Sequence, residues 1–492
     1  MIDQLKFVQL EMMVLVVGLV VLIADLLMVP SKRRLVGHLS AVALGLIFLF
    51  SLRESYVSLV NESTDVFFNS RYKIDGLSIF FKRFFILAAI FVLIFAVDFI
   101  DRIRSGVSEY YAFIIFALAG MMFAASANDF SMLFVSIELI TVTFYILVSY
   151  QRHRLQSLEA GVKYLILGAV SSAFMIYGIA LIFGESESLK FDDLHAKQSE
   201  LLGSKVFLFG MLFLFAGLAF KISAFPFQVW APDVYQGAPT PTTAFLALGS
   251  KAAGFVLLIR LLVITMPDLT QEWTTLLICI SAATILYGNL CALPQRNLKR
   301  LLAYSGIANA GYLLMGIVAR SEAGTTAILY YLAGYLFALI TVFLIINLIT
   351  KEGEGEDISC LENLNKRSPF LACAMTLAAI SLAGIPPLAG FFGKFLLIKS
   401  VTTEAFGNAG YFALLAVAVF GVVVSIFYYF GIIRSIFWSH KTEDTTTVCV
   451  GLPIRFVLVC CVVGMLYLGL LPNKPMKWVE SAAVAASTSI SE

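Results

Sequence analysis

Charge is scarce in this chain. Only 13% of its 492 residues are Asp, Glu, Lys or Arg, while 60% are hydrophobic. Soluble domains average about 25% charged and about 45–50% apolar residues, so this composition leaves too little polar surface to cover a soluble protein. The net charge of +2 comes without any Lys/Arg tract, and nucleic acid therefore has no electrostatic basis as a partner. Grouped thiols are also missing. Cys279, Cys291, Cys360, Cys373, Cys449, Cys460 and Cys461 form no C-x-x-C pair, and an iron–sulfur cluster needs grouped thiolates. The four histidines, His38, His153, His195 and His440, fall in polar connections or at the ends of apolar runs, where they cannot serve as axial haem ligands inside a membrane. The N-terminus carries Asp3, Lys6 and Glu11 instead of a basic leader, so the first apolar segment is expected to stay in the mature protein.

What is abundant is long apolar sequence. A bilayer core about 30 Å thick is crossed by about 20 apolar residues in a helix. Fourteen stretches meet that need, from 10–29 to 450–471, with the seventh at 205–229, the eighth at 241–266 and the twelfth at 369–399. Backbone groups find no water in lipid, so these stretches must be helices, and the alternation expected of barrel strands is absent. The fold class is all-α membrane protein. Lys and Arg concentrate in loops after odd-numbered spans, among them Lys32, Arg102, Arg154, Lys299, Lys351 and Lys441. Those loops are expected in the cytoplasm, with both termini outside.

Two spans are irregular. KISAFPFQVW places Pro226 inside the seventh, and SLAGIPPLAGFFGKF places Pro386 and Pro387 inside the twelfth. Each proline disturbs the carbonyl four residues earlier, which strands Ile222, Leu382 and Ala383. Broken helices five spans apart suggest two repeated five-helix halves, and such paired interruptions mark ion paths in transporters.

Ionisable residues inside apolar spans are costly and default to functional readings. Glu138, Lys163, Lys221, Lys251 and Lys394 are the candidates here. Lysine gives up its proton more readily as it is desolvated, and a carboxylate about 4 Å away opposes that by about 4 kcal/mol at an effective dielectric of about 20. Glu138 approaching or leaving Lys221 would therefore switch whether the lysine holds its proton. Metal ions would favour carboxylates and carbonyls, so a series of amines points to protons. Lys82 and Arg83 are expected to snorkel from a span end, Asp98 to sit at the interface and Arg260 to anchor. Asp25 serves either a helix–helix contact or coupling to a neighbouring subunit.

These residues carry a resemblance. FKISAFPFQVWAPDVYQGAPTPTTAFLALGSKAAGF at 220–255, EAGVKYLILGAVSSAF at 159–174, NLKRLLAYSGIANAGYLL at 297–314 and GIPPLAGFFGKF at 384–395 are similar to the antiporter-like subunits of proton-pumping NADH–quinone oxidoreductase (complex I), and among them to the N type. The resemblance implies a proton relay through Glu138, Lys163, Lys221, Lys251 and Lys394. It also implies other complex I membrane subunits and lipid as partners, with NADH, FMN, iron–sulfur clusters and quinone in those partners and no cofactor in this chain. Lys394 stands where the related M type carries a glutamate. Asn309 stands where many relatives carry histidine, and asparagine cannot titrate there. The implied division is 1–108, 109–270 and 271–440 (two repeats), then 441–492. A Mrp-type cation/proton antiporter subunit and a purely structural membrane subunit are the competing readings.

Overall fold

The computed structural model describes residues 3–27, 33–53, 66–350, 356–405, 408–438, 448 and 450–487. Lys32, Lys351, His440, Lys441 and Cys449 lie outside them. The described chain is helical throughout, save one short hairpin pairing Val66–Phe67 with Tyr72–Lys73. Its main helices are α1 (Gln9–Leu27), α2 (Arg33–Ser51), α3 (Gly76–Phe99), α4 (Val107–Ala125), α5 (Phe130–Val148), α6 (Leu155–Ser186) and α7 (Lys205–Ile222). They continue with α8 (Trp230–Gly237), α9 (Thr240–Thr265), α10 (Thr274–Ala292), α11 (Leu298–Val318) and α12 (Glu322–Ile349). The last are α13 (Pro369–Ala383), α14 (Ala389–Ala405), α15 (Ala409–Trp438), α16 (Leu452–Leu470) and α17 (Asn473–Ser487). Thirteen helices among the described residues are long and apolar enough to cross a membrane, and α13 is a shorter apolar helix. The terminal helix α17 was not foreseen from sequence.

Local chemistry fixes the starts of these helices. Asp75 caps α3 in a reciprocal box with Ser78, Asp129 caps α5, and Asn297 caps α11 through the Arg300 amide. Each cap satisfies backbone donors that an isolated helix would strand. Burial grades the helices. The most apolar stretch of α11 is fully buried, whereas α1, α6 and α15 bury 28% of theirs and turn Leu, Val and Phe outward. Exposed apolar area on that scale suits lipid or a partner subunit, not water.

The expected breaks are present. α7 ends at Ser223, which adopts a left-handed conformation, and helix resumes only at α8. α13 ends at Gly384, also left-handed at φ 83°, and α14 starts at Ala389. Only glycine takes that backbone region at no steric cost. A cis peptide lies in each break, at Phe225–Pro226 and Pro386–Pro387. A third irregularity has no proline to signal it. α9 contains two π-helical segments, Leu246–Ser250 and Ile259–Thr265, on either side of an α-helical block that begins at Lys251.

The chain divides into two compact units. One holds Met1–Ser223, Gly249–Thr274 and Glu480–Glu492, and the other Ala224–Leu248 and Thr275–Val479. Glu138, Lys163, Lys221 and Lys251 belong to the first, and Lys394 to the second.

Candidate proton-relay site

In the first unit the site is built on α5, α6, α7 and α9. Lys221 occupies the last turn of α7, is 3% exposed, and donates to the Thr141 hydroxyl on α5. Glu138 lies one turn before Thr141 on the same helix, and residues three apart share a helix face. Its carboxylate accepts from Ser172 of α6. Lys221 thus gives its hydrogen bond to Thr141, and no direct Glu138–Lys221 bond is present among the described residues. Thr141 was missed at the sequence level because a threonine in an apolar helix usually bonds its own backbone, as this one also does to Ile137 at 2.6 Å.

Lys251 is 4% exposed and opens the α-helical block of α9. Gly254, one turn on, lets this block close on the end of α7: a Cβ there would stand 2.6 Å from the Ile222 side chain and 3.6 Å from Cβ of Lys221. Two lysines are thus carried by helix surfaces in direct contact. Lys163 departs from the expectation of burial. It lies on the outer face of α6, with its side chain 42% exposed, and pairs at 2.8 Å with Glu159 one turn away. The i,i+4 geometry is favourable, but an exposed pair of this kind contributes little.

In the second unit, Lys394 of α14 is 3% exposed and reaches back across the break. Its ammonium donates to the carbonyls of Leu382 at 2.8 Å and Ala383 at 3.2 Å. These are two of the carbonyls that Pro386 and Pro387 were expected to strand, so Lys394 itself satisfies them. The same ammonium lies 5.2 Å from the centre of the Tyr312 ring, in cation–π range. Tyr312 is held in turn by the Ala418 carbonyl at 3.1 Å. Asn309 is buried on α11 in the same unit.

Two cations read from sequence as snorkelling or anchoring do neither. Lys82 is fully buried and pairs with Glu11 of α1 at 2.9 Å. Arg260 is buried in the second π segment of α9. It forks onto Asp75, with Nη1 to Oδ2 at 3.0 Å and Nη2 to Oδ1 at 2.8 Å. Its Nε and Nη2 also donate to the Ala125 carbonyl at 2.8 and 2.7 Å. Burial would push the Asp75 carboxyl up, but the Arg260 charge and hydrogen bonds outweigh it and hold it below the usual carboxylate range. Arg83 donates to the Ser51 carbonyl instead of reaching for the interface. Asp98 is exposed, as an interfacial residue should be. Of the two roles open to Asp25, a helix–helix contact is present: it accepts from Ser108 at 2.6 Å and lies 3.3 Å from Arg33.

Interrupted apolar helices with lysines buried at or beside the interruptions define the class: a multi-pass helical membrane protein of the ion-translocating type. The family described as NADH:quinone oxidoreductase/Mrp antiporter, TM, matches residues 127–427. NADH-quinone oxidoreductase subunit N of Desulforamulus reducens is 35% identical over 474 residues, 96% of each chain. The chain belongs to the NADH-quinone oxidoreductase subunit N family. A chain of respiratory complex I from Thermus thermophilus has TM-score 0.77 at 30% identity, over 95% of this chain and 98% of that one. A chain of the Mrp complex from Dietzia sp. DQ12-45-1b gives TM-score 0.82 at 20% identity, over 98% of each, which is a likeness of fold alone.

Proposed function

We propose that this chain is a proton-translocating membrane subunit of an NADH–quinone oxidoreductase in a bacterial inner membrane. NADH, FMN, iron–sulfur clusters and quinone belong to partner subunits, and both termini face outward. Residues 109–270 and 271–440 act as the two antiporter-like repeats, flanked by 1–108 and 441–492. The observation that carries the reading is the burial of Lys221, Lys251 and Lys394, each 4% exposed or less, in helices that are interrupted close to the lysine. A buried ammonium is expensive in lipid unless its charge is used.

Lys221 holds a proton under the control of Glu138, with Thr141 orienting its ammonium. Lys251, on the helix block closed against α7, accepts that proton as a neutral amine and passes it on. Lys394 serves the release side, where its carbonyl partners stabilise the charged form. Glu138 belongs to the relay and sets the charge that Lys221 meets, with one carboxylate oxygen held by Ser172. Lys163, half-exposed beside Glu159, feeds charge to the edge of the site or meets a neighbouring subunit.

The test is Lys251→Met, which keeps most of the volume and removes the titration. The assembled complex in sealed vesicles should still oxidise NADH, but proton uptake coupled to quinone reduction should be impaired. Lys251→Arg should be impaired too, because guanidinium does not release its proton. Wild-type stoichiometry and rate in Lys251→Met would remove this lysine from the path. The Mrp alternative predicts sodium-dependent transport without NADH and no co-purifying flavin-containing arm.

A further inference from the structure

Outside the residues matched by the family, the first unit buries a carboxylate–lysine ion pair. Glu11 on α1 and Lys82 on α3 are both fully buried. Tyr72, 2% exposed, closes them into a ring. Lys82 Nζ forms an ion pair with Glu11 Oε1 at 2.9 Å and donates to the Tyr72 hydroxyl at 2.8 Å, and that hydroxyl donates to Glu11 Oε1 at 2.8 Å. The ammonium also lies 4.9 Å from the Tyr72 ring centre. Every bond made by the carboxylate goes to one oxygen. Glu11 Oε2 is buried with no hydrogen-bond partner among the described residues.

That asymmetry is the informative feature. A buried ion pair kept only to join two helices recovers its desolvation cost when both carboxylate oxygens are bonded. Here one oxygen is left with its full cost of about 1–3 kcal/mol or more. The same pair could be replaced by apolar side chains at little loss, as buried pairs often can. An oxygen left bare in a buried pair is open to one further donor.

We propose that Glu11, Lys82 and Tyr72 form a proton-binding site of this chain, in which Glu11 Oε2 takes up a proton delivered by water. The inference rests on the proton-translocating reading above. In the uptake step a hydronium ion gives its proton to Oε2: one O–H bond breaks in hydronium, one forms on the carboxyl, and water is left. Lys82 remains an ammonium throughout, so the site gains one positive charge when loaded and loses it on release to water. Tyr72 holds Oε1 in both states and fixes the carboxyl's rotation, so that Oε2 keeps its place.

The experiment uses the fully assembled complex in vesicles and compares Glu11→Gln/Lys82→Met, Glu11→Asp and Lys251→Met. The double variant removes both charges at once, so neither is left unpaired. Assembly with a reduced proton-to-electron ratio supports the site, and wild-type pumping overturns it, leaving the pair as packing. Glu11→Asp keeps the carboxyl and the fold but draws it back. In infrared difference spectra between NADH-reduced and oxidised complex, its protonated-carboxyl band should shift from the wild-type position. An unshifted spectrum would overturn the assignment even if the double variant failed to assemble. Lys251→Met separates the two readings. If it pumps normally, the proton-relay function is at fault; if it is impaired while both Glu11 variants behave as wild type, only this inference falls.

Discussion

Arg260→Met tests how the buried network around α9 holds that helix. Its partner Asp75 is 5% exposed at the side chain and Arg260 is 3% exposed, so water cannot replace either. Losing one member of such a pair leaves a bare charge and costs about 3–5 kcal/mol. The Ala125 carbonyl also loses both of its Arg260 donors. Part of that loss overlaps with the first figure, so about 3 kcal/mol is the expected floor. The readout is hydrogen–deuterium exchange of peptides covering Gly76–Phe99 and Ile259–Thr265 in the purified complex. A loss of about 3 kcal/mol corresponds to roughly two orders of magnitude in exchange. Asp75→Asn should restore most of it in the Arg260→Met background, because asparagine keeps the α3 cap and removes the orphan charge. The coupling between the two positions should approach about 2 kcal/mol. Wild-type exchange in Arg260→Met, or a double variant as unstable as the single, would refute the argument.

The same pair sets an acid limit. Asp75 titrates lower in the folded chain than the unfolded value of about 3.9. The unfolded state therefore binds the proton more readily, and the pair's contribution is present above about pH 4 and is lost as pH falls through the folded value. Protection of the two peptides should hold from neutral pH to about 4 and then decline. In Arg260→Met the remaining protection should begin to change at higher pH, since burial then acts on Asp75 with its main cation gone.

Three further outcomes can be checked. Lys394→Met should loosen the α13–α14 break, since it strands the Leu382 carbonyl at a cost of about 1–3 kcal/mol and leaves Ala383 with only Ser425 at 3.4 Å; Lys394→Arg should recover the fold, by thermal unfolding, without recovering proton uptake. Thr141→Val keeps the shape and removes the acceptor of Lys221, so proton uptake per electron should fall with assembly unchanged, and unaltered uptake would exclude Thr141 from the path. Gly254→Ala should cost about 1–3 kcal/mol through the Ile222 contact and be relieved by Ile222→Ala; thermal unfolding of both variants would show whether that contact sets the spacing.

The sequence carried the helical class, the two proline breaks and the burial of Lys221, Lys251 and Lys394, because each rests on short-range rules. Span length, misplaced proline and a charge in an apolar run are all local signals. The stranded carbonyls of Leu382 and Ala383 were legible for the same reason, although their partner was not. The interruptions of α9 were not legible, because π segments there follow neither proline nor an obvious change in composition.

The misread cations show where local rules end. Lys82 and Arg260 sit near span ends, and depth alone says that such side chains snorkel. What decides their fate is an acid from another part of the chain. Glu11 reaches Lys82 from α1, and Asp75 reaches Arg260 from the far end of the first unit's sequence. Once that acid arrives, pairing inside is cheaper than reaching out, and the cation is drawn into the protein. Lys163 shows the converse: its nearest acid, Glu159, is on its own helix and exposed, so the lysine stays outside with it. A lysine's burial in a membrane helix is therefore read less from its depth in the span than from where its nearest carboxylate comes from. Lys221 and Lys394 follow a third course. Lys221 bonds a hydroxyl and Lys394 bonds carbonyls. Neutral partners hold an ammonium in place without the strong charge pairing that would keep it from giving up its proton. That difference separates Lys221 and Lys394 from cations such as Lys82 and Arg260, whose charge is matched directly by a carboxylate.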